Sequence, residues 1–213
     1  FTFSLPCDCD YSKTTPPVPP PEVCVEQVVS FTTNDNNETM QGGDYVSAQW
    51  DDFGVIFTAD GGYTPSGYPR LYDTSSGVYN DLDDSADGVE LVMIVQSTDG
   101  DKTLASPSDS GVITVEIVDA FSPMDEVVEI GFVNVVAELV ITVYSKDEDG
   151  ADVITTIVVT PPVGGQIQKI VVPINVKEVT SMVVDLGGET GITYVGVCVD
   201  PDAEISGVTP TDR

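Results

Sequence analysis

Apolar and polar residues alternate in three consecutive stretches between Gly111 and Ser145. The apolar positions of the three stretches are, in order, Ile113, Val115 and Ile117; Val128, Ile130 and Phe132; and Leu139, Ile141 and Val143. A period of two places successive side chains on opposite faces of a β-strand. Ser122-Pro123 and the link 135–138 interrupt the pattern where the chain must reverse. The stretch therefore predicts antiparallel strands that lay one apolar face on a core.

Comparable strand patterns precede and follow this stretch. They occupy residues 24–33, 55–57, 91–95, 153–160, 167–174, 180–186 and 192–199, and Gly and Pro pairs separate the later ones. Roughly ten short strands without a helix of ordinary length are typical of a β-sandwich. The predicted fold is an all-β, antiparallel jelly-roll β-sandwich over residues 24–200, with an extended Pro-rich N-terminal arm (1–23) and a C-terminal tail (201–213).

The N-terminal arm combines a strand-like segment with a stiff spacer. FTFSLP alternates over residues 1–6, and TTPPVPPP (14–21) is typical of polyproline II, spanning roughly 25 Å at ~3.1 Å per residue. We expect an ordered arm that is donated to, or docks on, a neighbouring copy; a disordered stalk and a self-packed arm are the alternatives. Thr14 and Thr15, beside prolines, are candidates for O-linked glycan. Phe1 is interpreted as a mature, processed end.

The charge balance limits the partners. Thirty-six Asp and Glu against seven Lys and Arg give a formal net charge of −29, which repels nucleic acid and anionic membranes. The absence of histidine removes the Ser-His and Cys-His nucleophile arrangements and imidazole-bound zinc. Pairs of carboxylates, as in glycosidases, are uninformative in so acidic a chain. No apolar run reaches the ~18 residues that span a bilayer. We expect no enzyme activity and no membrane insertion.

Acidic residues crowd into the stretch 80–88. Asp81, Asp83, Asp84 and Asp87 lie together there, and Ca²⁺ takes 6–8 oxygen ligands of this kind. Crowded carboxylates are unfavourable unless a cation or solvation relieves them. A Ca²⁺ site, with help from Asp73 or Asp44, and a solvated acidic loop are the two alternatives. The later acidic stretch 147–152 has calcium-like spacing, but Asp-Gly favours a hairpin turn there.

Four cysteines, Cys7, Cys9, Cys24 and Cys198, do not have zinc-site spacing and predict two disulfides in an oxidising compartment. A bridge between Cys7 and Cys9 would be strained. Cys24 and Cys198 therefore bond to each other or each to an arm cysteine. The strand periodicity turns both of these thiols away from the core.

Two groups of residues are candidates for contact with carbohydrate. Asn37 begins the sequon Asn37-Glu38-Thr39 in a polar loop and is a candidate N-glycan site. The aromatic residues Trp50, Tyr63, Tyr68, Tyr72 and Tyr79 form a candidate platform on which sugars stack. The alternative is that these rings pack the rim of the core.

Several segments resemble a family of secreted jelly-roll domains of anchored bacterial and algal surface proteins. They are WDDFGVIFTADGG (50–62), RLYDT (70–74), VVEIGFVNV (127–135), ITVYSKDEDG (141–150) and TSMVVDLGGETGITYVGVCV (180–199). The resemblance covers residues 25–199 and implies an extracellular location with adhesion or carbohydrate-binding roles. Asn134 departs from it, since an aspartate is expected there. The arm is similar in assembly logic to strand-donating subunits of biofilm matrix fibres.

The sequence therefore favours an extracellular structural protein, a subunit of a fibre or surface assembly that is joined to its own copies through the N-terminal arm. Disulfides, and possible calcium and glycan, would stabilise it. The alternative is a non-catalytic carbohydrate-binding or adhesion module, with glycans as partners. Head-to-tail strand donation repeats into a filament unless it closes into a ring.

Overall fold

The computed structural model describes residues 25–34, 36–51, 54–61, 67–75, 90–96, 110–118, 124–162 and 169–199. Within these ranges the chain forms eleven β-strands: β1 (Val25–Ser30), β2 (Val55–Asp60), β3 (Arg70–Asp73), β4 (Leu91–Ile94), β5 (Gly111–Ile117), β6 (Met124–Val133), β7 (Leu139–Lys146), β8 (Asp152–Val159), β9 (Ile170–Lys177), β10 (Val179–Leu186) and β11 (Gly191–Val199). None of these residues belongs to a helix that could cross a membrane. The arm 1–23 and the tail 201–213 lie outside the described residues.

The strands form two antiparallel sheets. The six-stranded sheet has the order β3-β4-β11-β6-β9, with β1 also paired to β11, and the five-stranded sheet has the order β2-β5-β10-β7-β8. From β4 onwards, the strand orders β4-β11-β6-β9 and β5-β10-β7-β8 are those of a jelly roll, in which the chain crosses repeatedly between two sheets. The predicted all-β jelly-roll sandwich is confirmed.

Consecutive strands in the stretch from Gly111 to Ser145 do not pair with one another. β5 and β7 lie in the five-stranded sheet with β10 between them, whereas β6 lies in the other sheet between β11 and β9. The links between these strands therefore carry the chain from one sheet to the other. The alternation that the sequence shows still holds, because each strand turns one face to the shared core.

The core fills the space between the sheets. Ile113 and Val115 of β5 and Leu139 and Ile141 of β7 are fully buried, as the alternation predicts. These four residues belong to a larger cluster of buried apolar side chains. The burial of such side chains is the main favourable contribution to folding.

One strand departs from the predicted alternation. In β6, Val127 is buried with Ile130 and Phe132, while Val128, which the pattern places in the core, is only half-buried. The pairing of β6 with β11 shifts register between Gly196 and Val197, so Val128 is an extra residue on β6. Such a β-bulge moves the following side chains to the other face.

Candidate functional site

The candidate N-glycan residue Asn37 lies at the tip of a short hairpin. Thr33 and Thr39 form the bridge that closes it, and the amide of Asn37 donates to the carbonyl of Asn34 at 3.0 Å. Asn37 has a φ of 58° and is exposed. Asparagine tolerates this left-handed conformation better than most residues. The sequon therefore stands on an ordered, solvent-facing turn.

A groove of about 150 Å³ runs beside this hairpin. Its lining is Gln27, Val28, Val29, Ser30, Thr33, Asn34, Asn37, Trp50 and Val197. Pockets that enclose a whole small molecule are usually about 300–1,000 Å³. The groove fits one small group rather than an extended ligand.

The aromatic residues proposed as a sugar platform do not share one exposed surface. Trp50 is 2% exposed and packs edge-to-face on Phe31 and Phe57, with ring centroids 5.6 and 5.9 Å away. Tyr72 is also 2% exposed, whereas Tyr68 is 37% exposed. Trp50 and Tyr72 therefore depart from the platform expectation, since neither ring is available to a ligand in solution. Tyr63 and Tyr79 lie outside the described residues.

Arg70 is a buried cation that sequence reasoning did not single out. Its Nε donates to the carbonyl of Gly43 at 2.7 Å, and Nη1 donates to Oε1 of Gln96 at 2.8 Å. The ring of Tyr45 lies 5.3 Å from the guanidinium carbon. A buried guanidinium needs such partners to offset its desolvation. Arg70 thus joins the segment around Gly43 to β3 and to Gln96. The sequence did contain a signal: Arg70 is one of only seven basic residues in the chain, and it stands at the start of an apolar strand.

Several of the carboxylates that the structure describes accept hydrogen bonds within turns. Asp73 accepts hydrogen bonds from the amide and hydroxyl of Ser75, and Asp44 accepts one from the amide of Gln41. Within the described ranges, no group of three or more His, Cys, Asp or Glu side chains could hold a metal ion. The candidate calcium residues Asp81, Asp83, Asp84 and Asp87 lie outside those ranges, so the calcium site stays a prediction.

The acidic stretch 147–152 forms the turn between β7 and β8. Oδ1 of Asp147 accepts hydrogen bonds from the amides of Asp149 and Ala151 at 3.0 and 2.7 Å. Gly150 has a φ of 78°, which glycine adopts without strain. The hairpin interpretation of this stretch therefore agrees with the structure.

Tyr194 and Glu129 form a polar contact on the outer face of the six-stranded sheet. The Tyr194 hydroxyl donates to Oε1 of Glu129 at 2.6 Å. Partial burial, together with this hydrogen bond and the nearby carboxylates of Glu129 and Glu26, raises the pKa of Tyr194 to about 12. The ring also lies over Gly131, where a β-carbon would collide with it. The phenol therefore stays neutral over the physiological pH range.

Asn134 joins the end of β6 to the loop before β11. Its φ is 55°, and its Nδ2 donates to the carbonyl of Glu189 at 2.6 Å. Its own carbonyl accepts a hydrogen bond from the hydroxyl of Thr190 at 3.2 Å. An aspartate carboxylate has no N–H to donate to a carbonyl. An aspartate at this position could not make the bond to Glu189 that the Asn134 amide makes.

Cys198 is disulfide-bonded and 1% exposed. It alternates with the core residues Val195 and Val197 on β11, so its side chain leaves the sheet on the outer face, as predicted, yet it is buried there. Its strand neighbours are Glu26 on β1 and Glu126 on β6. Cys7, Cys9 and Cys24 lie outside the described residues, as do Thr14 and Thr15, so the pairing and the O-glycan sites stay predictions.

Comparison with known proteins leaves the family open. No family model and no curated protein matches the chain. Among solved structures, the enzymatically active domain of bacteriophage CBA120 tailspike protein 4 matches with 12% identity and a TM-score of 0.31. The match covers 79% of this chain and 23% of that one, so this chain spans less than a quarter of the tailspike chain.

Proposed function

We propose that this protein is a non-enzymatic, extracellular structural subunit that joins copies of itself through the N-terminal arm into a fibre or surface assembly. The observation that carries the proposal is the disulfide at Cys198. The three other cysteines all precede β1 in the sequence. A bond from Cys198 to Cys7 or Cys9 within the chain would fasten the arm to the six-stranded sheet. A covalent anchor of this kind suits an arm that transmits load.

The arm lies outside the described sandwich in the sequence. Every described strand lies between Val25 and Val199, and the described core is continuous across both sheets. The segment FTFSLP has the length and alternation of a donor strand, and the proline-rich spacer separates it from the sandwich. An oxidising, extracellular location fits the disulfide. Calcium at the stretch 80–88 and glycan at Asn37 are parts of the same proposal.

The carbohydrate-binding alternative has less support. Two of its five proposed rings, Trp50 and Tyr72, are buried, and the groove beside Asn37 is small. Tyr68 keeps an exposed ring, which alone makes a weak sugar contact.

The proposal is tested by electron microscopy of the native, unreduced protein. One variant begins at Glu22, and a second keeps Cys7 and Cys9 but carries Phe1→Ser and Phe3→Ser. We expect filaments from the native chain and none from either variant. The sandwich should fold in all three proteins, because both variants change only the arm. Chelator treatment of each sample shows whether calcium contributes at the contacts.

Single, separate subunits in every sample would contradict the arm proposal. Filaments that persist in the double Phe variant but disappear in the truncated one would place the contact in the cysteine- and proline-rich segment instead of the strand-like segment. A glycan array run on the same samples distinguishes the carbohydrate-binding alternative, for which a monomer that binds glycans is expected.

A further inference from the structure

The strand β8 is a regular edge strand of the five-stranded sheet that the structure describes. It pairs with β7 in an unbroken register, from Leu139 opposite Val159 to Lys146 opposite Asp152. On its other side, no backbone hydrogen bond among the described residues reaches β8. The segment Val153–Val159 has no charged residue. Long, flat, uncharged edges are templates for pairing with another strand.

Two other sheet edges are covered by their own chain. Next to β2, the amide of Phe57 donates to the carbonyl of Ser47 at 2.9 Å. Next to β3, the amide of Leu71 donates to the carbonyl of Asp44 at 2.9 Å, and the amide of Gly43 donates back to Leu71 at 2.8 Å. These segments occupy the hydrogen-bonding positions that a partner strand would need.

The remaining edges carry features that discourage pairing. β9 contains Pro173, which has no N–H, and Asn175, whose φ of 50° breaks the strand geometry. It ends on the charged Lys177. β1 has six residues and carries Glu26. Short strands, proline, bulges and charge are the usual means by which proteins block edge pairing. Among the described edge strands, β8 differs in having none of them along its last seven residues, Val153–Val159.

The outer face of β8 is also apolar. Ile154 is 63% exposed and Val158 is 54% exposed, and Thr156 lies between them on the same face. On the opposite face, Ile157 and Val159 are half-buried against the edge of the core. A partner strand at this edge would extend both faces and cover apolar surface on each.

We propose that β8 pairs antiparallel with β8 of a second copy, about a two-fold axis that passes beside Thr156. Residues whose numbers are symmetric about Thr156 then lie opposite each other. Ile154 faces Val158 of the partner subunit, and Val153 faces Val159 of the partner subunit. The two most exposed apolar side chains of the strand thus cover each other, and the two five-stranded sheets become one continuous sheet.

The acidic turn between β7 and β8 selects this direction of pairing. Asp147, Glu148 and Asp149 lie at one end of β8. Parallel pairing would put two such turns about 5 Å apart, the spacing between strands. Antiparallel pairing puts them at opposite ends of an eight-residue strand, on the order of 25 Å apart, which is several Debye lengths at physiological salt. Repulsion between the two acidic turns therefore destabilises the parallel arrangement and has little effect on the antiparallel one.

This contact goes beyond the arm-mediated assembly and does not depend on it, since every residue it uses lies in β8. The first test is sedimentation, over a range of concentrations, of the full-length chain carrying Phe1→Ser and Phe3→Ser, from which no arm-mediated filaments are expected. We expect reversible association to twice the monomer mass. Thr156→Glu, which places two like charges opposite each other, should weaken it at least tenfold.

The matched control is Thr58→Glu. Thr58 lies on the outer face of the same sheet and in the same cross-strand row, but on β2 at the opposite edge. In the same Phe1→Ser, Phe3→Ser background, Thr58→Glu should leave the association unchanged, and thermal unfolding of each variant checks that it folds. A strictly monomeric Phe1→Ser, Phe3→Ser chain, or equal weakening by Thr156→Glu and Thr58→Glu, would overturn the proposal. Loss of association on removing residues 1–21, with no effect of Thr156→Glu, would also overturn it.

The register has its own test. Only residue 156 faces itself across the two-fold axis, with β-carbons about 5 Å apart, whereas two copies of residue 154 are roughly 13 Å apart. With a thiol cross-linker of about 5 Å reach, Thr156→Cys should give covalent dimers and Ile154→Cys should not. Peptide mapping separates the 156–156 link from links to the native cysteines. Equal cross-linking of both variants would refute the two-fold register.

Discussion

Replacing Phe57 tests the aromatic cluster that buries the single tryptophan. Phe57 is fully buried and lies edge-to-face with both Phe31 and Trp50, with centroids 5.9 Å from each. Each such aromatic pair contributes about 0.5–1.5 kcal/mol beyond the burial of area. Phe57→Leu keeps most of the volume and loses two pairs, so we expect a loss of about 1–3 kcal/mol. Phe57→Ala also leaves a cavity, and about 3–5 kcal/mol is expected.

The assay is equilibrium unfolding in urea, followed by tryptophan fluorescence. Because Trp50 is the only tryptophan, its emission reports directly on this cluster. In a domain of this size, 1 kcal/mol corresponds to about 2–4 °C in Tm, so Phe57→Ala should lower Tm by roughly 6–20 °C. Val136→Ala is the control, since Val136 is 55% exposed and such surface changes usually stay within about 0.5 kcal/mol.

The order of the three variants decides the outcome. A Phe57→Ala loss no greater than that of Val136→Ala would refute the placement of Phe57 in the core. A Phe57→Leu loss below about 0.5 kcal/mol would show that burial alone, without ring geometry, accounts for the contribution of Phe57. A native Trp50 emission typical of a solvated indole would contradict its burial and would reopen the sugar platform.

Two further predictions follow from local contacts. The phenol of Tyr194 should titrate near pH 12, and Glu129→Gln should lower its pKa only in part, since burial is the largest cause of the shift. Because the pKa of Tyr194 is higher in the folded than in the unfolded chain, the stabilisation from its neutral phenol is full below pH 10 and is lost between pH 10 and about 12. The difference in phenolate absorbance between the native protein and Tyr194→Phe, followed as the pH rises, measures this titration. Gly187→Ala should destabilise by more than Gly150→Ala, because its β-carbon would overlap the carbonyl oxygen of Glu138 while Gly150 faces open space. Gly150→Ala should lose roughly 1–2 kcal/mol from its positive φ alone, and equal losses in urea unfolding would contradict the close approach at Gly187.

The parts of the fold that could be predicted are those fixed by local periodicity. Ile113 and Val115 of β5, and Leu139 and Ile141 of β7, alternate with polar residues, and all four are buried as expected. The alternation works because each of these strands has one face on the core and the other in solvent. The spacing of strands and breaks was then enough to indicate a jelly roll.

Other positions depend on pairing, which a single sequence does not reveal. Val127 and Val128 are chemically identical neighbours, and only the bulge opposite β11 decides which of them faces the core. Trp50 lies in a polar segment, but its ring packs against Phe31, which is distant in sequence, and against Phe57, which lies on β2. The partner of Cys198 depends in the same way on long-range geometry. These are tertiary effects that local pattern does not encode.

Charge limits the surfaces through which two copies of this protein could associate as proposed. A net charge of −29 makes most encounters between two copies repulsive, so stable contacts must use uncharged surface and keep acidic turns apart. The segment Val153–Val159 meets both conditions in the antiparallel arrangement. An isologous contact of this kind closes on itself and stops at a dimer, whereas an arm donated head-to-tail does not close. The two proposed contacts would therefore build different structures: β8 would pair two subunits side by side, and the arm would link such pairs along a fibre.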